Sequence, residues 1–210
     1  MNRQVIYTAI IGDYDNLQLP CNEDYLEDWD LICYTDQDLK SDYWKLVSIE
    51  SKGDHTREAR RIKICSHTLL KKYVKSIWID ANATMLFDPV ELFKTNHDIT
   101  MLPHYQNRNG IKEEASECIR LKKDHSNIIL KQINKYQQEG FNVYDGNIPM
   151  TTAIARYHNR CIDVMNKWYV EVLSFSKRDQ ISLPYVLWKM NKQVNLVNEL
   201  KIERKHHKNG

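Results

Sequence analysis

Two short oxygen-bearing side chains follow an apolar run in the sequence KSIWIDANATMLFD, residues 75–88. Asp80 comes directly after Ile77, Trp78 and Ile79, and Asn82 comes two residues later. In the turn after a strand, oxygen side chains at positions i and i+2 can both face a hard cation such as Mg²⁺ or Mn²⁺. The alternative is that the Asp80 side chain caps the turn or the following helix. The segment therefore predicts either a divalent-metal site or a capped turn.

Basic side chains cluster in the segment before this one. Arg57, Arg60 and Arg61 share a face of a predicted helix, at positions i, i+3 and i+4, and Lys63 follows them. This face either binds a diphosphate or is a solvated surface. The chain has six glycines and contains neither a G-x-x-x-x-G-K-[ST] nor a G-x-G-x-x-G motif. Any bound phosphate must therefore be held by a metal ion and by basic side chains rather than by a glycine-rich loop.

The elements that must position these residues alternate between strand and helix. Apolar and β-branched runs predict strands in QVIYTAIIG, WDLICYTD, KSIWID, DITMLPH and MTTAIAR. Helices are predicted in HTREARRIKICSHTLLKKYV, GIKEEASECIRLKK, SNIILKQINKYQQEG, CIDVMNKWYVEVLSFS and ISLPYVLWKMN, the last made less favourable by Pro184. This alternation predicts an α/β domain with a mostly parallel central sheet flanked by helices.

Acids fall just after the ends of three predicted strands, at Asp13, Asp36 and Asp80. In open α/β sheets, ligands bind outside the carboxyl ends of the strands. We therefore expect a binding edge that carries these acids. The sequence GDYDN, which holds Asp13 and Asp15, lacks the glycine and the distant glutamate of an EF-hand loop, so a calcium loop is not predicted.

Composition limits the function classes further. A chain of 210 residues with 42% hydrophobic residues suits one buried core. The net charge of +2 is far weaker than that of a dedicated nucleic-acid-binding protein, so no nucleic-acid partner is predicted. Five scattered cysteines without a C-x-x-C pair favour a reducing cytoplasm over a disulfide framework or a zinc site. No apolar run approaches the roughly 20 residues of a membrane span, so we expect a soluble intracellular chain.

Six segments, in order along the chain, resemble a glycosyltransferase family found in plant proteins and in bacterial capsule and O-antigen loci. They are YTAIIGDYDNL, REARRIKI, KSIWIDANATM, EEASECIRLKKD, QINKYQQEGF and SKRDQISLPYVLWK. The resemblance implies one GT-A-like, Rossmann-like domain over residues 1–200, followed by a basic tail over residues 201–210. It also implies a nucleotide-sugar donor, with UDP-hexose first, a glycan or lipid-linked acceptor in surface polysaccharide synthesis, and a location in the cytoplasm or at the inner membrane surface.

The same resemblance implies roles for individual residues. By position in the family motifs, three residues after the first strand would line the base and ribose pocket of the donor site: Thr8, Ala9 and Tyr14. Asp36 would lie near the nucleotide, Arg57, Arg60 and Lys63 would lie near the diphosphate, and Asp80 would complete the donor site. Asp80 and Asn82 would stand in the D-x-D motif that usually holds Mn²⁺ or Mg²⁺, with His206 or His207 completing the metal shell. Because the second acid of that motif is an amide here, the site carries one negative charge fewer. The alternative for the two histidines is a disordered basic tail.

Two more acids have a functional and a structural interpretation. Glu114 would hydrogen-bond hydroxyls of the donor or acceptor sugar, or it would complement the dipole of a helix start together with Glu113. Asp179, in SKRDQIS, would act as the general base that takes the acceptor proton, or it would be the N-cap of the last helix.

Two other function classes remain open at this point. A metal-dependent phosphohydrolase that uses Asp80 would release inorganic phosphate without an acceptor. A non-catalytic nucleotide-binding module would bind ligand without turnover.

Overall fold

Nine strands form two sheets in the computed structural model, which describes residues 4–51, 53–104, 106 and 108–205. The strands are β1 (Gln4–Ile10), β2 (Asp30–Thr35), β3 (Lys45–Ser48), β4 (Lys75–Ile79), β5 (Ala83–Met85), β6 (Ile99–Pro103), β7 (Pro149–Tyr157), β8 (Asn195–Leu196) and β9 (Ile202–Arg204). The larger sheet has the order β3-β2-β1-β4-β7-β6-β8, and the smaller sheet pairs β5 with β9.

Six of the seven strands of the larger sheet run in one direction. β1 pairs in parallel with both β2 and β4, and β2 pairs in parallel with β3. β7 runs antiparallel to β4 and to β6, and β6 is parallel to β8. The prediction of a mostly parallel α/β sheet is therefore confirmed, with β7 as the reversed strand. The reversal brings the beginning of β7 to the edge where the parallel strands end.

Helices cover the sheet, and they follow the predicted segments closely. They are α1 (His55–Ile64), α2 (Ser66–Leu69), α3 (Gly110–Arg120), α4 (Ser126–Gln138), α5 (Ile162–Ser174) and α6 (Asp179–Lys189). Pro184 lies inside α6. Within the described ranges, none of the helices combines the length and apolar composition that a membrane crossing requires.

The side chains of the strands alternate between two apolar clusters on the two faces of the sheet. Tyr7 and Trp78 belong to the cluster on one face, with Ile62 and Ile64 of α1. Ile6, Ile77 and Ile79 belong to the cluster on the other face. Burial of an isoleucine such as Ile77, which is 0% exposed, contributes roughly 1.5–3 kcal/mol. The apolar run of β4 is therefore explained by burial on both faces.

The predicted helix over residues 55–74 is two shorter helices, divided at Cys65. The carbonyl oxygens of Lys63 and Ile64 at the end of α1 accept hydrogen bonds from the buried Arg156 guanidinium, at 2.9 and 3.4 Å. The Tyr7 hydroxyl also donates to the Lys63 carbonyl at 2.6 Å. These contacts satisfy the last carbonyls of α1 from outside the helix, so the helix ends there. They also fix the backbone of Lys63 against the sheet.

The predicted boundary at residue 200 is wrong. The segment assigned to a basic tail, residues 201–210, contains β9, which pairs with β5 so that Arg204 lies opposite Ala83. The Lys205 N–H donates to the Asn82 carbonyl at 2.9 Å, and the Asn82 Nδ2 donates to the Lys205 carbonyl at 2.8 Å. The chain up to Lys205 is therefore part of the domain and lies beside the end of β4.

Candidate active site

Asp36 connects the ends of β1 and β2. Its carboxylate accepts a hydrogen bond from the Gly12 N–H at 2.9 Å and from Gln37 Nε2 at 2.7 Å. Burial alone would raise the pKa of Asp36, but the hydrogen bonds from Gln37 and Gly12 outweigh it and lower the pKa. Gly12 has φ +70, and a side chain there would meet His55 Nδ1 at 2.6 Å. The glycine is therefore required both by its backbone conformation and by the close approach of α1.

Asp80 lies at the carboxyl end of β4, as predicted, with its side chain 22% exposed. Its Oδ1 accepts a hydrogen bond from the indole Nε1 of Trp78 at 2.9 Å. Its backbone N–H donates to the Thr152 carbonyl at the beginning of β7, at 2.9 Å. The carboxylate is thus bound by a side chain rather than by a backbone N–H, so the alternative of a turn cap is wrong.

Three charged side chains join α1 to the beginning of α6 beneath Asp80. Lys63 Nζ lies 2.7 Å from Asp179 Oδ2, and Arg60 Nε lies 3.0 Å from Asp179 Oδ1. The same Lys63 nitrogen is 3.7 Å from Asp80 Oδ1. Burial lowers the pKa of Lys63, and the charges of Asp179 and Asp80 oppose this. Lys63, with a side chain only 1% exposed, therefore connects two carboxylates inside the protein.

Asp179 is the first residue of α6, and the N-cap position belongs to Arg178, so the N-cap assignment of Asp179 is wrong. Burial alone would raise the pKa of Asp179, but the positive charges of Arg60, Lys63 and Arg178 hold it well below its usual range. A carboxylate with a lowered pKa and a side chain 2% exposed is a weak base with little access to an acceptor. Its geometry is that of a group that positions Lys63 and Arg60.

Glu114 faces inward from α3. It forms an ion pair with Arg108, and Cys118 Sγ donates to its Oε1 at 3.3 Å. His104, which follows β6, has its Nε2 3.8 Å from Glu114 Oε2. Desolvation, followed by the charges of Arg108, Lys123 and Arg204, lowers the pKa of His104 to about 4. Glu114 is thus engaged by protein groups at the same edge of the sheet as Asp80.

Glu113, rather than Glu114, makes a contact at the start of the helix, where an acid complements the helix dipole. Its carboxylate accepts a hydrogen bond from the Asn109 N–H at 3.0 Å, directly before α3 begins. The neighbouring acids therefore point in different directions, as the geometry of a helix requires.

Only some of the basic side chains predicted on α1 reach the candidate site, and the others make structural contacts. Arg57 donates to the Val172 and Phe175 carbonyls at the end of α5, and Arg61 pairs with Glu58. The assignment of Arg57 to the diphosphate is therefore not supported, because its guanidinium caps another helix. Arg60 and Lys63 reach the edge of the sheet through their contacts with Asp179.

The residues predicted to line a base and ribose pocket lie along and after β1. Thr8 is 0% exposed, so it cannot contact a ligand directly, and this assignment is wrong. Ala9 is half-buried within the same strand. Tyr14 is 55% exposed in the loop that follows Gly12. Ala9 and Tyr14 therefore keep surface that a ligand could reach, and their assignment to the donor site stays a prediction.

The divalent-metal site implied at Asp80 and Asn82 stays a prediction. Among the residues that the structure describes, no group of three His, Cys, Asp or Glu side chains lies close enough together to hold a metal ion. The two Asp80 oxygens lie near cations, 3.7 Å from Lys63 Nζ and 3.7 Å from Arg204 Nη2. His206 and His207 lie outside the described residues. Positive protein charge is therefore present where the predicted metal would bind.

Three residues near this edge were missed by the sequence analysis. His104 is the last residue of the predicted strand DITMLPH and Arg108 follows it, so the rule that found Asp80 could also have found them. Arg204 carried no usable signal, because a strand of three residues is too short for a periodic pattern.

Comparison with known proteins identifies the family of this chain. Residues 26–208 match the family model described as "TOD1/MUCI70, glycosyltransferase-like domain". The chain belongs to this family. The resemblance to a glycosyltransferase-like family, inferred from the sequence, is thereby confirmed.

Two known proteins resemble the chain along most of its length. "Probable hexosyltransferase MUCI70" of Arabidopsis thaliana is 23% identical over 224 residues, which cover 91% of this chain and 38% of that protein. The apo structure of WbbM, a bifunctional glycosyltransferase, has a TM-score of 0.54 and 9% identity, and the match covers 92% of this chain and 38% of that chain. The structural match supports the fold alone. The chain spans less than half the length of either protein.

In this TOD1/MUCI70 family chain, replacing Asp179 with asparagine should lower stability as well as sugar transfer. The amide keeps the shape but removes the charge that balances Lys63 and Arg60, and breaking a buried ion pair costs about 3 kcal/mol or more. The melting temperature should therefore fall by roughly 6 °C or more, measured by differential scanning calorimetry. A variant with unchanged melting temperature and strongly reduced transfer would instead support the general-base role.

Proposed function

We propose that this chain transfers a hexose from a nucleoside diphosphate donor, first of all a UDP-hexose, to a glycan or lipid-linked acceptor in surface polysaccharide synthesis. The observation that carries the proposal is the arrangement around Asp80, at the carboxyl end of β4 in a glycosyltransferase-like domain. There Lys63 and Arg204 approach one partly exposed carboxylate, and Asp36 lies two strands away at the same edge. Open α/β sheets bind their ligands at this edge.

The chemistry of the transfer requires positive charge at a defined place. The bond between the anomeric carbon and the β-phosphate oxygen breaks, and an acceptor hydroxyl oxygen bonds to that carbon. The hydroxyl proton passes to the departing diphosphate or to water. The leaving nucleoside diphosphate gains negative charge as its bond breaks, and fixed cations that face this charge lower the barrier. A cation-rich edge beside Asp80 suits this requirement.

Asp80 and Asp179 have different tasks in this proposal. The partly exposed Asp80 orients the cations nearest to the donor and is accessible to it. The buried Asp179 holds Lys63 and Arg60 in place from beneath. A bound Mn²⁺ or Mg²⁺ would neutralise further diphosphate charge through the Asp80 and Asn82 oxygens.

A panel of nucleotide sugars tests the proposal. UDP- and GDP-linked hexoses are incubated with the protein and a set of alkyl glycosides, in EDTA and in Mn²⁺, and release of nucleoside diphosphate and of inorganic phosphate is measured separately. Acceptor-dependent release of the nucleoside diphosphate, with a glycoside product detected by mass spectrometry, is the expected result. Release of inorganic phosphate without acceptor would indicate a phosphohydrolase, and binding without turnover would indicate a non-catalytic module.

A further inference from the structure

Two of the three cations that the family resemblance assigned to the diphosphate, Arg60 and Lys63, are already paired with protein carboxylates. Both lie within 3.0 Å of Asp179, and their side chains are only 16% and 1% exposed. At the same edge, Arg108 is paired with Glu114. These three cations therefore shape the site from within, and the charge that meets a phosphate must come from other side chains.

Arg204 is held at this edge by β9. Its Nη2 lies 3.7 Å from Asp80 Oδ2, beyond hydrogen-bond distance, and its side chain is 39% exposed. The pairing of β9 with β5 and the two hydrogen bonds between Asn82 and Lys205 fix its position. Part of the guanidinium thus remains accessible to a ligand bound beside Asp80.

Lys123 and Arg178 are brought together by the acid between them. Asp124 accepts hydrogen bonds from Ser176 Oγ at 2.8 Å and from the Lys177 N–H at 2.9 Å. These bonds join the turn after α3 to the loop before α6, so Lys123 and Arg178 flank one junction. Arg178 also directly precedes Asp179 and therefore lies next to the buried ion pairs.

Among the described residues, neither of these two side chains lies within ion-pair distance of a carboxylate. In the part of the chain that the structure describes, Lys123 and Arg178 form no ion pair, and Arg178 Nε is buried without a hydrogen bond. The pKa of Lys123 is lowered, first by desolvation and then by the positive charges of Arg178, Arg108 and Arg204, which Cys118 partly opposes. Like charges thus lie near one another here. The carboxylate next to Arg178, Asp179, is already in close ion pairs with Arg60 and Lys63. An anion bound among Lys123 and the neighbouring arginines would therefore relieve their repulsion.

We infer that Lys123, Arg178 and Arg204, here called the cation cluster, bind the diphosphate of the donor. This inference rests on the proposed function and names the groups that receive the leaving phosphate. Guanidinium groups are well suited to it, because they form paired, charge-assisted hydrogen bonds with phosphate oxygens. A phosphate-bearing acceptor has the same chemistry, but the position of Arg204 beside Asp80 favours the donor.

Calorimetric titration with UDP, GDP and pyrophosphate tests the inference, with uridine and guanosine as probes without phosphate. The variants are Lys123→Gln, Arg178→Gln and Arg204→Gln, and the control is Lys131→Gln, an exposed position on α4. Titrations in EDTA and in Mn²⁺ measure any contribution of a metal. Each cluster variant should bind diphosphates roughly tenfold more weakly, with nucleoside affinity and melting temperature unchanged. Arg204→Lys should recover part of the loss, and the control should bind like the wild type.

Several results would overturn the inference. If the wild type binds a diphosphate and the cluster variants bind it equally well, the inference is wrong while the proposed function stands. The same holds if the variants lose nucleoside and diphosphate binding equally. It also holds if steady-state transfer assays of the variants show an increase in the KM of the acceptor alone. If the wild type binds none of the diphosphates in either condition, the proposed function fails as well.

Discussion

Replacing Asp80 with asparagine is expected to reduce sugar transfer by roughly 10²-fold or more, because it removes preorganised charge at the reacting centre. The amide keeps the size of the side chain, but it no longer attracts Lys63 and Arg204, each 3.7 Å from an Asp80 oxygen. Initial rates of nucleoside diphosphate release at saturating donor measure the effect. Because Asp80 is partly exposed, the melting temperature should change little.

Asp42→Asn is a matched control for this experiment. Asp42 is an exposed acid just before β3, at the opposite end of the sheet from Asp80, so the same chemical change should leave transfer unaffected. Transfer within about threefold of the wild type in the Asp80 variant would contradict the central position given to this carboxylate. Calorimetric titration of UDP with and without Mn²⁺ on both variants would show whether Asp80 also contributes to metal-dependent binding.

Replacing Lys63 with methionine should produce the largest loss of stability. The substitution keeps the aliphatic stem but leaves Asp179 buried with Arg60 as its remaining close partner. Breaking a buried ion pair by removing one partner costs about 3–5 kcal/mol. For a chain of this size, the melting temperature should fall by roughly 6–20 °C. Thermal unfolding followed by circular dichroism measures the change.

A double-mutant cycle separates this ion pair from simple packing. If Lys63 and Asp179 act as a pair, Lys63→Met combined with Asp179→Asn should cost less than the sum of the single changes. Strict additivity would mean that the two side chains do not interact, and would remove the physical basis of the positioning role given to Asp179.

The main helices and strands could be predicted from the sequence because they are long and have a strong hydrophobic pattern. The apolar run of β4 and the helical spacing of α3, α4 and α5 are local signals, so these elements could be predicted within a few residues. The short strands β3, β5, β8 and β9 have two to four residues and depend on neighbours far along the chain. The end of α1 depends on Arg156, which follows it by about ninety residues and gives no local signal.

The site residues that come directly after predicted strands could be predicted from the sequence. Asp36 and Asp80 were found because parallel strands end at one edge of the sheet. The contacts of Arg57 and the burial of Asp179 were not predictable. Helical spacing shows which side chains share a face of a helix, but it does not show which part of the protein packs against that face. Arg204 required the pairing of two distant short strands.

The antiparallel course of β7 has a consequence for how this domain can change during evolution. Pro103 at the end of β6 lies opposite Pro149 at the beginning of β7, so the chain between them leaves the sheet and returns at the same place. Insertions or replacements within this excursion, which contains α3 and α4, need not alter the register that positions Asp80 beside Thr152. Changes in length within residues 104–148 are therefore expected to leave the strands beneath in their arrangement.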